Sequence, residues 1–180
     1  MQASIPSADR ETRLIALLAA SCLFFSLIEY LIPKPLPFMR LGLANLPILF
    51  SLNLLQPRKI VLLIVLKVLG QGLVNGTLFS YIFLFSAAGS FSSGMVMLLL
   101  FRLLKTRVSM LGLCLAGALT SNLIQLTMAR YIIFGKSALL IGPPFLAIGT
   151  ISAVILGVFA ERFLAESRWY REKLDQAGKQ

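Results

Sequence analysis

The chain has 180 residues, 58% of them hydrophobic and only 13% charged, with 17 Lys and Arg against 7 Asp and Glu. A soluble domain carries about 25% charged residues. The apolar excess here comes in long runs, which places the chain in a bilayer. Six spans of about 20 residues would take about 120 residues, so no separate soluble domain fits. There is no histidine, which excludes a Ser-His-Asp triad, a Cys-His pair and any histidine metal site. Cys22 and Cys114 both fall inside apolar runs and read as small packing residues, since free cysteine behaves as a buried hydrophobe. A disulfide framework is not expected.

The first run, Arg13 to Ile32, is long enough to span. Arg10 and Arg13 precede it, and Ala19-Ala20-Ser21-Cys22 loosely resembles a lipoprotein cleavage box. Only Leu14 to Leu18 would precede that box, short of the 7–15 residues of a signal core, so a retained first helix is expected. Pro33, Pro35 and Pro37 force an extended link, because proline lacks an N–H donor and disfavours helix in the residue before it. The second run, Leu41 to Leu55, would reach only about 22 Å as a helix, short of a hydrocarbon core about 30 Å thick. Either that helix is recessed or the proline link dips into the membrane.

Gln56-Pro57-Arg58-Lys59 is a polar turn. The third run, Ile60 to Val74, is interrupted by Lys67 and Gln71. After Asn75-Gly76-Thr77, the fourth run, Leu78 to Phe101, is crowded with small residues: Ser86-Ala87-Ala88-Gly89-Ser90 and Ser92-Ser93-Gly94. A basic loop, Arg102 to Arg107, leads to the fifth run, Val108 to about Phe134. The sixth has Gly142-Pro143-Pro144 near its start and ends near Leu164. Residues 1–12 and 165–180 are then polar tails around a membrane domain at 13–164. Trp169 and Tyr170 stand where membrane-interface residues usually do.

With the N-terminus inside, the inner segments hold twelve Lys and Arg. The outer segments hold four (Lys34, Arg40, Arg130 and Lys136), and Lys67 lies within the membrane. The positive-inside bias makes both termini cytoplasmic. Topology and attraction to anionic lipid account for the net charge of +10, and no nucleic-acid partner is needed.

Lys67 is the most informative residue. It lies about 10 Å along its helix from Ile60, where a lysine costs about 2.5–3.5 kcal/mol on insertion scales. Gln71 and Asn75 follow at four-residue spacing on the same face. A snorkelling lysine with polar residues joining helices is one reading. A polar stripe lining an outward-facing pocket is the other. Glu29, Arg40 and Asn45 gather on the same side, as do Asn122 and Gln125, which are neighbours three apart on the fifth helix. Both amides fit inter-helix hydrogen bonding and ligand contact equally, and Arg130, further out, fits an interface anchor slightly better than a ligand contact. The cations here outnumber Glu29, so an acidic or phosphate-bearing small molecule is expected, unless Glu29 pairs with Lys67 or Arg40.

Ala16 and Ala20 form a small-xxx-small face on helix one, as do Gly149, Ala153 and Gly157 on helix six and Gly112 and Ala116 on helix five. Most such faces serve internal packing. Catalysis has little to work with. Six of the seven carboxylates lie in the tails or at the inner helix end, so the cavity lacks an acid/base pair. A P-loop is absent too. No cofactor or metal is expected.

Arg40-Leu41-Gly42-Leu43-Ala44-Asn45, together with Lys67-Val68-Leu69-Gly70 and Asn122-Leu123-Ile124-Gln125, resembles the bacterial Gx transporter family, also labelled heptaprenyl diphosphate synthase component I. The resemblance runs from about Leu14 to Leu164, and Ser121 stands where the pattern expects a histidine. The family is similar in size and layout to the S components of energy-coupling-factor transporters. That resemblance implies a multi-pass substrate-binding subunit of the bacterial cytoplasmic membrane, with a pocket open to the outside. It also implies a coupling subunit and ATPases on other chains, with Ala16 and Ala20 as the docking face for the coupling subunit. Arg40, Asn45, Lys67, Gln71, Asn122 and Gln125 match the pocket region by position. The enzyme label fits poorly: prenyl diphosphate synthases hold magnesium with clustered aspartates, and this chain has only Asp9 and Asp175. An accessory or scaffold subunit of a membrane isoprenoid, quinone or flavin enzyme complex is the alternative. It predicts Lys67 paired internally with Glu29 or an amide, and no cavity.

Overall fold

The computed structural model describes residues 7–33, 39–104 and 107–177. Among them every regular element is helical: α1 (Ser7–Leu31), α2 (Leu46–Ser51), α3 (Pro57–Val74), α4 (Tyr81–Leu104), α5 (Met110–Ala129), α6 (Ala138–Glu166) and α7 (Arg168–Ala177). Local chemistry sets several of the boundaries. Pro57 opens α3 in the first turn, where its missing N–H costs nothing. Asn75 and Gly76 close α3: Gly76 takes φ +64°, and the Gly76 and Thr77 amides return to the carbonyls of Leu73 and Gly72, a glycine-dependent C-cap. At the start of α5, the Ser109 hydroxyl accepts the Gly112 N–H at 3.0 Å, as an N-cap should.

Helix α1 runs alongside α3 in the same direction. Lys59 pairs with Glu11 at one end, and Asn75 donates to Ser26 at 3.4 Å towards the other. From α3 onward the helices alternate. Ile64 lies against Gly94 of α4, Met97 of α4 against Gly117 of α5, and Leu111 of α5 against Gly157 of α6. The end holding Glu11 and Lys59 is termed the near end, and the end holding Asn75 the far end.

Because α1 and α3 are parallel, the chain must cross back between them. It does so as a broken segment. Leu41 N–H reaches Glu29 near the far end, while Phe50 stacks on Phe163 and touches Tyr170 near the near end. Within that passage only a 3-10 turn, Leu43–Asn45, and the six residues of α2 are helical, about 9 Å of rise. The expected second helix over Leu41–Leu55 is thus a short buried helix flanked by irregular backbone. Leu46, Ile48, Leu49 and Leu52 are all buried, which is the condition under which non-helical backbone survives at membrane depth. Of the proline link, Pro33 is described, and Lys34, Pro35 and Pro37 lie outside the described residues.

Among the described residues, four helical stretches are long and apolar enough to cross a membrane: Glu11–Leu31, Tyr81–Leu104, Met110–Phe134 and Ala138–Glu166. Helix α3 has the length but carries Arg58, Lys59 and Lys67. The outward faces are apolar, with Phe24, Leu99, Leu123 and Ile155 all exposed. Water would not tolerate such surfaces and a bilayer would. The fourth and sixth elements sit a few residues from their expected limits, and Pro143 and Pro144 fall inside α6 near its start. The C-terminal segment also departs from expectation. Tyr170 is buried beneath Phe50 and donates its hydroxyl to the Phe50 carbonyl at 3.3 Å, so it docks α7 on the bundle and does not sit at an open interface. The side chain of Trp169 lies outside the described residues.

Candidate functional site

Helix α4 is the platform on which the polar residues meet. Ser86, Gly89, Ser90, Ser93 and Gly94 recur at three- and four-residue spacing on one buried face. That small-residue stripe lets side chains from α3, α5 and the broken crossing approach. Arg40 donates to Ser86 Oγ, and Lys67 donates to Asn45 Oδ1 and, at 3.4 Å, to Ser90 Oγ. Asn45 in turn donates to Ser93 Oγ at 3.4 Å. Lys67 is 1% exposed, so its ammonium replaces water with protein oxygens, the condition for keeping a charge inside.

Glu29, also 1% exposed, serves the broken crossing. Its carboxylate accepts the Leu41 N–H at 2.8 Å and the Ala44 N–H at 3.5 Å. Between these residues Gly42 takes φ +96° with no side-chain cap of its own. A carboxylate placed at the exposed amides of a helical turn is stabilising. Glu29 therefore stands in for the missing cap while remaining within electrostatic reach of Arg40 and Lys67. One buried cation, Lys67, and one half-buried cation, Arg40, face one carboxylate, a balance of +1.

The third group consists of amides. Gln71, Asn122 and Gln125 are each at most 2% exposed. Both side-chain polar atoms of Gln71 and of Gln125, and Nδ2 of Asn122, have no hydrogen-bond partner among the described residues. Each orphan costs about 1–3 kcal/mol if left dry. Gln125 lies over Gly89, where a Cβ would meet its Nε2 and the Ser121 Oγ at 2.8 Å, and Asn122 fills the notch at Gly149. Asn75 closes the far side through Ser26.

Arg40, Asn45, Lys67 and Gln125 thus meet at α4, Gln71 follows Lys67 one turn along α3, and Asn122 lies against Gly149 of α6. Arg130 is left out. It is exposed in the π-helical turn Arg130–Phe134, with its guanidinium 6.0 Å from the Tyr131 ring centre. Lys34 and the side chain of Lys136 lie outside the described residues; among the described residues the cations at the cluster are Arg40 and Lys67. Ala16 and Ala20 are exposed on α1, away from the cluster. In contrast, Gly149, Ala153 and Gly157 are buried against α5. Sequence reasoning missed Ser26, Ser86, Ser90 and Ser93. Their signal was the periodic small-residue crowding of the fourth run, which reads equally as packing.

The family model described as heptaprenyl diphosphate synthase component I matches residues 18–163, a stretch that contains the whole cluster. The chain belongs to that family. No curated relative and no solved structure matches it. The description of the family as a component I implies a partner component. Within this component, the buried carboxylate at the cluster is Glu29, already bonded to backbone amides, and among the described residues no group of His, Cys, Asp or Glu could hold a metal ion.

Proposed function

We propose that this heptaprenyl diphosphate synthase component I family member is the substrate-binding membrane subunit of a transporter, similar to the S component of an energy-coupling-factor system. Family membership and the apolar helical bundle fit a non-catalytic membrane component. The transport reading goes beyond that, and one observation carries it. A site of net charge +1, made by half-buried Arg40 and buried Lys67 and Glu29, lies beside buried amides whose donors and acceptors lack partners among the described residues. An interior that exists only to hold helices together should satisfy its polar atoms, whereas a binding site awaits a ligand that does so.

In this reading all six passages cross the bacterial cytoplasmic membrane. The near end faces the cytoplasm, because Arg13, Arg58, Arg102, Arg162 and Arg171 gather there. The ligand is a small anionic or amphiphilic precursor entering from the far end. Arg40 and Lys67 hold its anionic group, and Asn45, Gln71, Asn75, Asn122 and Gln125 hydrogen-bond its polar parts. Arg130 serves the rim. The exposed Ala16 and Ala20 face a coupling subunit, and ATPases act in trans.

One observation favours the second reading, a scaffold for a membrane enzyme complex: Lys67 is held by the Asn45 amide, as a purely structural lysine would be. The two readings part on Lys67→Met, examined by mass spectrometry of small molecules released from protein purified in mild detergent. Binding predicts an anionic compound on the wild type that disappears from a folded mutant. Scaffolding predicts no specific compound from either protein and a lowered stability or lost assembly in the mutant.

A further inference from the structure

The family description names a prenyl diphosphate, and the cations Arg40 and Lys67 alone would suit its anionic end. The geometry around α4 points elsewhere. On the single turn Ser86–Ser90, Arg40 meets Ser86, Gln125 lies over Gly89 and Lys67 meets Ser90. Gln71 follows one turn beyond Lys67 on α3. Gln71 and Gln125 each leave both a carbonyl oxygen and an amide nitrogen unpartnered among the described residues, at 2% and 0% exposure. A hydrocarbon chain laid across them would leave all four atoms dry. A diphosphate could accept from the two nitrogens but could not donate to the two oxygens. The four atoms ask for two acceptors and two donors.

Resting on the binding-subunit reading above, we infer that the ligand carries, beside its anionic group, a polar edge with both hydrogen-bond donors and acceptors. A carboxamide, lactam or urea-type edge has this character, and the site is not built for the apolar chain of an isoprenoid. Arg40 and Lys67 take the anion, and Gln71 and Gln125 read the edge. Gly89 leaves room for the Gln125 amide, since a side chain there would push into it. Selectivity follows from this arrangement, because a buried donor or acceptor left unpaired by the wrong ligand penalises it strongly.

The test uses the full chain in mild detergent, as wild type, Lys67→Met and the double variant Gln71→Met/Gln125→Met. Released compounds are identified by mass spectrometry, and farnesyl diphosphate is the added probe. The expected compound contains a nitrogen-bearing donor–acceptor edge. It falls by about tenfold for each amide lost in the double variant, the scale of one hydrogen bond, and excess farnesyl diphosphate does not displace it. The thermal midpoint of the double variant without compound is equal to or above that of the wild type, because two orphaned amides have been removed. A compound lost in Lys67→Met but retained in the double variant, or displaced by farnesyl diphosphate, overturns this inference and leaves the binding-subunit reading standing. A double variant with a lowered midpoint and unchanged compound assigns the amides to structure, by way of bridging water, and also overturns it. A wild type that releases nothing overturns both.

Discussion

Glu29 on α1 accepts the Leu41 N–H at 2.8 Å, and through this bond a carboxylate from the first helix fixes the start of the broken crossing that carries Arg40 and Asn45. The carboxylate therefore does two jobs. It caps a turn that begins at the left-handed Gly42, and it partly offsets the charges of half-buried Arg40 and buried Lys67. Glu29→Gln keeps the shape but removes the charge and part of the acceptor capacity. It should lower stability by about 1–3 kcal/mol, read as a drop in the thermal midpoint of detergent-purified protein. An unchanged midpoint would show that the crossing holds itself.

Close approach at Gly149 is the next point to test. A Cβ there would run into the Asn122 amide, and overpacking of this kind costs about 1–3 kcal/mol. Gly149→Ala should destabilise the bundle by that amount, and Asn122→Ala in the same chain should recover much of it. A double-mutant cycle on thermal or denaturant unfolding measures this coupling. Simple additivity would separate the two residues.

Tyr170 ties α7 to the crossing through the Phe50 carbonyl. Burial pushes its phenol above the ordinary value of 10, with a hydrogen bond from Asn53 acting in the opposite direction. A folded pKa raised above the unfolded one means that this contribution is fully present below about pH 10 and is lost as pH rises through the folded value. Unfolding followed from pH 8 to alkaline conditions should show stability falling at the top of the range. Tyr170→Phe should cost about 0.5–1.5 kcal/mol at neutral pH and flatten the alkaline loss. If the slope persists in the mutant, some other group causes it.

Ala16 and Ala20 are exposed on α1 beside the apolar Leu17 and Phe24. Ala16→Leu/Ala20→Leu should leave the thermal midpoint within about 0.5 kcal/mol of wild type, as surface substitutions do. Co-purification of a membrane partner from the native host should be lost. A partner that still co-purifies would move the docking surface elsewhere.

Much of this was legible in the sequence, and the reason it was so differs from place to place. Lys67 stood out because a mid-membrane lysine is costly, and Gln71 and Asn75 followed from helical spacing alone. The apolar runs gave α1, α4, α5 and α6 to within a few residues. The broken crossing was visible only as a run too short to span, because burial by the surrounding helices, which a single sequence does not display, lets that backbone stay irregular. Ser86, Ser90 and Ser93 were passed over since a serine facing a lysine and a serine packing a helix look identical in one dimension. Arg130, whose position fits an interface anchor slightly better than a ligand contact, is exposed in the π-helical turn. The docking of Tyr170 under Phe50 joins residues 120 positions apart, and nothing local announces it.

The most direct test of the account is an experimental structure of the full chain purified in mild detergent with its native small molecules retained. The account predicts a non-protein molecule between Arg40, Lys67, Gln71 and Gln125, with its anionic group on Arg40 and Lys67 and a polar edge on the two glutamines. Ordered waters alone on those glutamines, with Lys67 still held by Asn45 and Ser90, would contradict it.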